Sequence, residues 1–158
     1  LTGSLVIDRA RNIGYCGLSE RCDERGAAAM HAAFGLDAML VFDLAPGEYH
    51  TNVLLQTYAG RLAVACPDGF ADPAVAQAIL HLHAPHALAL GREARLAYAG
   101  NGIAVSSDVA FLSARAVAAL SPTERAAFAD AGFTLHAVAM PEIEKAGGSL
   151  RCCVGELF

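Results

Sequence analysis

Residues 4–42 read SLVIDRARNIGYCGLSERCDERGAAAMHAAFGLDAMLVF, and four segments with different periods follow one another in this stretch. Ser4–Asp8 and Ile13–Leu18 are apolar and short, with a turn at Arg9–Asn12 between them, as expected of a β-hairpin. An alanine-rich helical stretch, Asp23 to Phe34, follows, and then the apolar strand Ala38–Phe42. The same order returns twice. Asn52–Thr57, a turn at Ala59–Gly60, Leu62–Cys66, a helix from Asp72 to His81 and a strand Ala87–Leu90 make the second unit. Gly102–Val105, a turn at Ser106–Asp108, Val109–Leu112, helices over Ala114–Ala131 and a strand Phe133–Val138 make the third. Each unit is ββαβ, and the first strands recur at Val6, Val53 and Ile103. Strand-containing repeats with a period of about 40–50 residues point to radial or stacked repetition, with plain succession of βαβ units as the competing reading. Three units of a ring would leave open sheet edges, so further chain is expected.

Local signals support the boundaries. Ser121, Pro122 and Glu124 form a capping-box pattern with proline at the first helical position. Gly132 stands where a helix-terminating glycine belongs, and Asp72–Pro73 opens the second unit's helix as Ser121–Pro122 opens the third's.

Composition narrows the function classes. Hydrophobic residues make up 55% of the 158 and charged ones 17%, a lean surface for an isolated domain. Asp, Arg, His or Gly interrupts every apolar run before the roughly 20 residues a membrane span needs. The apolar excess is therefore expected to be buried against other protein. The start at Leu1 and the apolar end Leu157–Phe158 fit a piece of a longer polypeptide or one chain of an assembly, a homo-oligomer included. The net charge of −5, with no basic block longer than Arg9–Arg11, disfavours nucleic acid. No signal-peptide pattern occurs. Five cysteines (16, 22, 66, 152 and 153) without framework spacing favour a reducing, cytoplasmic setting.

Several residues could carry chemistry. His50 follows a Pro46–Gly47 turn at the mouth of the second unit's first strand, and an exposed loop histidine is the plainer alternative. A cysteine nucleophile needs a base nearby, so His50 and the Cys152–Cys153 pair give each other meaning if the fold joins them. On a strand, Cys152 would share a face with Leu150 and Val154, and Cys153 with Arg151 and Gly155; periodicity does not choose between them. His81, His83 and His86 do not share a helical face and lack further ligands at suitable spacing, so a helix end is expected rather than a metal site. Arg21 could hold a carboxylate through its planar fork, while Ser19 or Asp23 caps the next helix. Glu142 and Glu144 are expected on a solvated turn. Gly147–Gly148 permit backbone conformations closed to other residues and let a ligand approach the main chain.

Together, TGSLVIDRARNIGYCGLSER (2–21), YHTNV (49–53), AGN (99–101) and IEKAGGSLRC..GELF (143–158) resemble the guanidino-group-modifying superfamily. It comprises arginine deiminases, dimethylarginine dimethylaminohydrolases and amidinotransferases. The closest likeness is to bacterial citrulline-utilisation hydrolases or amidinotransferase-like proteins. The resemblance implies an α/β pentein fold, a five-bladed propeller of ββαβ units. Residues 1–158 would be its C-terminal three-fifths, with repeats at about 3–46, 50–91 and 100–140 and a C-terminal strand at 149–157. It selects Cys152 as nucleophile and His50 as base, leaves Cys153 as packing, and gives Arg21 and Asn52 substrate-binding roles. Cys22 departs from the usual Thr beside that arginine, and Asn52 stands where several members carry Asp. The glutamate that grips the guanidinium in relatives falls before Leu1, and the other substrate carboxylate belongs to the absent first two blades. Missing N-terminal blades or a companion chain are therefore expected as partners. The implied reaction is cysteine-dependent hydrolysis of a guanidino or ureido C–N bond, with no metal or organic cofactor. Amidino transfer at the same site and a non-catalytic binding or structural fragment are the alternatives.

Overall fold

The computed structural model describes residues 2–156, with the backbone alone for Thr2. In the first unit β1 (Leu5–Asp8) pairs antiparallel with β2 (Ile13–Leu18), and a crossover through α1 (Glu24–Phe34) leads to β3 (Ala38–Asp43), parallel to β2. Asp23 caps α1 by accepting from the Gly26 amide, and Gly35 ends it in the left-handed region at φ 58°. The chain then makes a short helix, α2 (Thr51–Leu54), before the second unit: β4 (Leu55–Tyr58), β5 (Leu62–Ala65), α3 (Pro73–Leu82) and β6 (Ala87–Ala89). A five-residue helix, α4 (Arg92–Leu96), leads to the third unit of β7 (Ile103–Ala104), β8 (Val109–Ser113), α5 (Ala114–Ala119), α6 (Pro122–Asp130) and β9 (Thr134–Val138). The last helix, α7 (Pro141–Lys145), precedes a 3₁₀ turn at Leu150–Cys153. The described residues thus form three mixed three-stranded sheets, β1-β2-β3, β4-β5-β6 and β7-β8-β9.

The capping signals act as the sequence implies. Ser121 and Glu124 exchange both bonds of a capping box, and Asp72 accepts from the Ala74 amide. The first strands of the units lie side by side, β1 against β4 and β4 against β7, so the inner edges of the three sheets converge. The middle unit is sandwiched between the other two, and every residue of β5 is buried. The outer strands differ by position. Leu40 and Val41 of β3 remain 39% and 41% exposed, whereas Leu88 of β6 is buried. A polar tie joins the first two units: buried Asp8 pairs with Arg11 at 2.8 Å, Arg11 also donates to the Gly60 carbonyl, and His83 from the end of α3 bonds Tyr15 at 3.1 Å.

Two expected elements are corrected. Asn52 lies in helix α2 and not on a strand. Tertiary bonds dictate this: Thr51 Oγ1 donates to the Ser4 carbonyl and accepts from the Gly17 amide, and the Asn52 carbonyl accepts from the Asn101 side chain. These groups are thereby satisfied outside a ladder. The C-terminal strand expected at 149–157 is instead the Leu150–Cys153 turn, with residue 157 outside the described residues. Gly147 and Gly148, at φ 82° and 118°, redirect the chain, and the Cys152 and Val154 amides bond locally to Ser149 and Arg151. Strand alternation therefore does not apply to Cys152 and Cys153. Glu144 is also corrected: it is buried, not solvated, and accepts a 2.7 Å bond from the Ser149 hydroxyl.

Candidate active site

The inner strands enclose a cavity of about 550 Å³. Val6 and Ile7 of β1, Gln56 and Thr57 of β4, and Ile103 and Ala104 of β7 line it, so all three units contribute to its wall. His50, Asn52 and Cys152 reach the same wall from segments far apart in sequence. A site at the convergence of repeats is where a fixed scaffold presents side chains from several elements.

Each of the three is held by specific neighbours. His50 is the extended residue before α2, anchored by the buried Thr51 hydroxyl one residue on. Its ring lies against the backbone of Gly3, where a Cβ would overlap the imidazole. Tyr49 packs beside it with ring centroids 4.8 Å apart. Burial, the largest cause, with the Arg21 charge among the smaller ones, holds His50 below its ordinary value of 6.5, so the imidazole is neutral near pH 7 and able to accept a proton. Asn52 is buried, with Oδ1 3.7 Å from the Cys152 sulfur. Cys152 is exposed on the cavity side of its turn. Gly148 beside it is required by conformation and not by space: its φ of 118° is one that side chains rarely adopt, while a Cβ there would only touch the sulfur at 3.5 Å.

Other residues matter that the sequence left without roles. Asn101 is fully buried, and its Nδ2 lies 3.3 Å from the Cys152 sulfur. The Tyr49 phenol, pushed up to about 12 by burial and then by the Cys152 charge, stays protonated beside the site. Arg95 of α4 pairs with Glu48 and, at 3.2 Å, with Asp68, fastening the loop that carries Tyr49 and His50. The available signal was a polar Asn101 just ahead of the apolar stretch Ile103–Val105.

Arg21 is not part of the cavity wall. It is exposed, its backbone amide donates to Ser19 Oγ, and its side chain makes no hydrogen bond or ion pair among the described residues. The histidines of HLHAPH do not converge, because His81 is exposed while His83 is buried against Tyr15. Among the described residues no group of three or more His, Cys, Asp or Glu side chains is placed to hold a metal ion. No helix among them is long and apolar enough to cross a membrane.

A family model described as N,N dimethylarginine dimethylhydrolase, eukaryotic, matches residues 1–158. No match is found among curated proteins. Among solved structures the chain is similar to the substrate-bound N-terminal domain of ArgZ, an arginine dihydrolase from the ornithine-ammonia cycle in cyanobacteria, in a cysteine-to-serine mutant. That likeness has a TM-score of 0.80 at 19% identity over 94% of this chain and 53% of the other. Unliganded AgrE gives 0.79 at 20% identity, over 95% of this chain and 22% of AgrE. An adduct of dimethylarginine dimethylaminohydrolase with S-methyl-L-thiocitrulline gives 0.67 at 20% identity, over 95% and 53%. This chain thus spans 53% of the ArgZ domain's length. The shared feature at these identities is the fold: ββαβ units of the pentein type.

Proposed function

We propose, from the premise that this chain belongs to the N,N dimethylarginine dimethylhydrolase family, that the whole protein hydrolyses a C–N bond of a guanidino or ureido compound through Cys152. The observation that carries this reading is the meeting of His50, Asn52 and Cys152 on one cavity wall built by all three units.

Neutral His50 takes the Cys152 thiol proton, and the thiolate attacks the planar carbon of the substrate. A carbon–sulfur bond forms, the carbon–nitrogen bond breaks, and His50 passes the proton to the departing amine. The resulting thiouronium-type intermediate is then attacked by water. His50 takes a proton from that water, the oxygen joins the carbon, and the sulfur leaves and regains its proton. Charge balances at each step without a metal or organic cofactor.

Arginine-, citrulline- and methylarginine-type substrates fit this chemistry. Asn52 lines the cavity beside the Cys152 sulfur, whereas the α-carboxylate role of Arg21, which lies outside the cavity wall, rests on the family resemblance alone. Carboxylates that orient a cationic guanidinium would come from further blades, in the same polypeptide or a companion chain. The exposed Leu40 and Val41 on β3 and the 53% coverage of the ArgZ domain support that expectation. The names of the matched proteins, a dimethylhydrolase family and an arginine dihydrolase, favour water over an amine as second nucleophile.

The test is product analysis on the intact protein with arginine, citrulline and dimethylarginine. Hydrolysis predicts release of ammonia, methylamine or dimethylamine by the wild type and none by Cys152→Ser. Transfer of the amidino group to an added amine would replace hydrolysis by amidinotransfer. Equal turnover by Cys152→Ser would remove Cys152 from the reaction, and no turnover by either would support a binding or structural fragment.

A further inference from the structure

The sulfur of Cys152 has a donor on one side and an acceptor on the other. Asn101 Nδ2 is 3.3 Å from it and Asn52 Oδ1 is 3.7 Å from it. The orientation of the Asn101 amide is not arbitrary. Its Nδ2 also lies 2.7 Å from the Asn52 backbone carbonyl, which can only accept, so the nitrogen must face that carbonyl. One proton of the NH₂ group is thus committed to the carbonyl, and the second is aimed at the sulfur.

The surrounding backbone leaves this amide little freedom. The Asn101 amide donates to the Tyr98 carbonyl at 2.9 Å, and the Asn101 carbonyl accepts from the Arg151 amide at 3.3 Å. A Cβ on neighbouring Gly100 would come within 2.5 Å of the Val53 carbonyl oxygen, so the segment is pressed against α2. Asn101 Oδ1, by contrast, is buried without a hydrogen-bond partner among the described residues. A residue kept only to staple the backbone would be expected to satisfy both ends of its amide. The arrangement instead places donors where they serve and leaves the acceptor idle.

We propose that Asn101 belongs to the catalytic apparatus, its side-chain amide donating to the Cys152 sulfur and stabilising the negative charge that develops there when His50 removes the proton. The thiol proton points toward Asn52 Oδ1 before transfer, and the Asn101 N–H remains bonded to sulfur before and after it. Bonds to a charged acceptor are roughly twice as strong as those to a neutral one, so the contact favours the thiolate over the thiol. The other titratable or charged groups around the sulfur are Tyr49 and His50 ahead of α2 and Arg151 on its own turn, which is paired with Glu156 at 2.6 Å. Among the described residues none of these makes a hydrogen bond to the sulfur.

The inference rests on Cys152 as nucleophile, and the experiment separates the two. Alkylation of Cys152 by iodoacetamide is followed against pH in intact wild-type protein and Asn101→Ala, with the adduct read by peptide mass. The variant should react about tenfold more slowly at pH 7, the worth of one charge-assisted hydrogen bond, and match the wild type at alkaline pH where the thiolate is fully formed. A profile lowered equally at every pH, or unchanged, would overturn the proposal. Should Asn101→Ala fail to fold, the side-chain NH₂ resonances of Asn101 in the wild type provide the reading. They should follow the same pH curve as Cys152 alkylation, and a pH-independent pair would overturn the proposal. Turnover by Cys152→Ser would sink the nucleophile reading itself; its loss together with an unshifted Asn101→Ala profile would sink the Asn101 inference alone.

Discussion

Gly3 lies so close to the His50 ring that any side chain would displace the imidazole, which makes a glycine far from the nucleophile in sequence a determinant of the base's position. Gly3→Ala should therefore lower kcat about 100-fold, as expected when a reacting group moves by an ångström. Circular dichroism and Tm close to wild type would assign the loss to His50; unchanged kcat would mean that the ring does not work from this position. Cys153→Ser should leave most of the activity, because Cys153 is exposed and, unlike Cys152, its sulfur makes no hydrogen bond to Asn52 or Asn101. At this scale the sequence pointed to His50, Asn52 and Cys152, and the fold brings them to one wall. Asn101, Thr51 and Tyr49 were not assigned roles, because each acts through bonds to segments about 30 to 50 residues away that no local pattern displays.

The elements divide by how local their causes are. Helices α3 and α6 begin where Asp72 and Ser121 cap them, and hairpins turn where the sequence places short polar loops, so the unit boundaries were legible. Helix α2 and the Leu150–Cys153 turn were not, since apolar, β-branched composition suggested strands while tertiary hydrogen bonds impose tight turns. The Glu144–Ser149 bond illustrates this dependence, joining α7 to the buried serine that precedes the Cys152 turn. Ser149→Ala would leave the buried Glu144 carboxylate without that donor, and urea unfolding should show a loss of about 1–3 kcal/mol. In the central sheet, Leu62→Ala removes a fully buried side chain and should cost about 2–5 kcal/mol by the same assay. The two losses should differ in consequence: the first should also slow Cys152 labelling, and the second should leave its rate unchanged in the folded fraction.

Across the whole molecule the tie between the first two units makes stability depend on pH. Burial is the main cause that holds His83 below 6.5, with the Arg11 charge adding to it and Asp8 opposing. The unfolded chain therefore takes up a proton that the native state refuses. The associated stability is complete above about pH 6.5 and is lost progressively as pH falls below that value. Tm should decline on acidification through this range, and His83→Gln should flatten that part of the profile; a Tm that rises on acidification would contradict the burial argument. At the same scale, convergence of three inner strands explains why residues as distant as positions 50 and 152 share a cavity. The repeat of ββαβ units was readable from strand and helix periods, whereas the facing of their inner edges required the assembled fold.

The most direct measurement is covalent labelling of the intact native protein with a chloroacetamidine-type probe, located by peptide mass spectrometry. The account predicts one adduct, on Cys152, formed much faster than on any cysteine of the denatured protein and slowed by His50→Ala. Equal labelling of native and denatured protein, or labelling indifferent to His50→Ala, would contradict it.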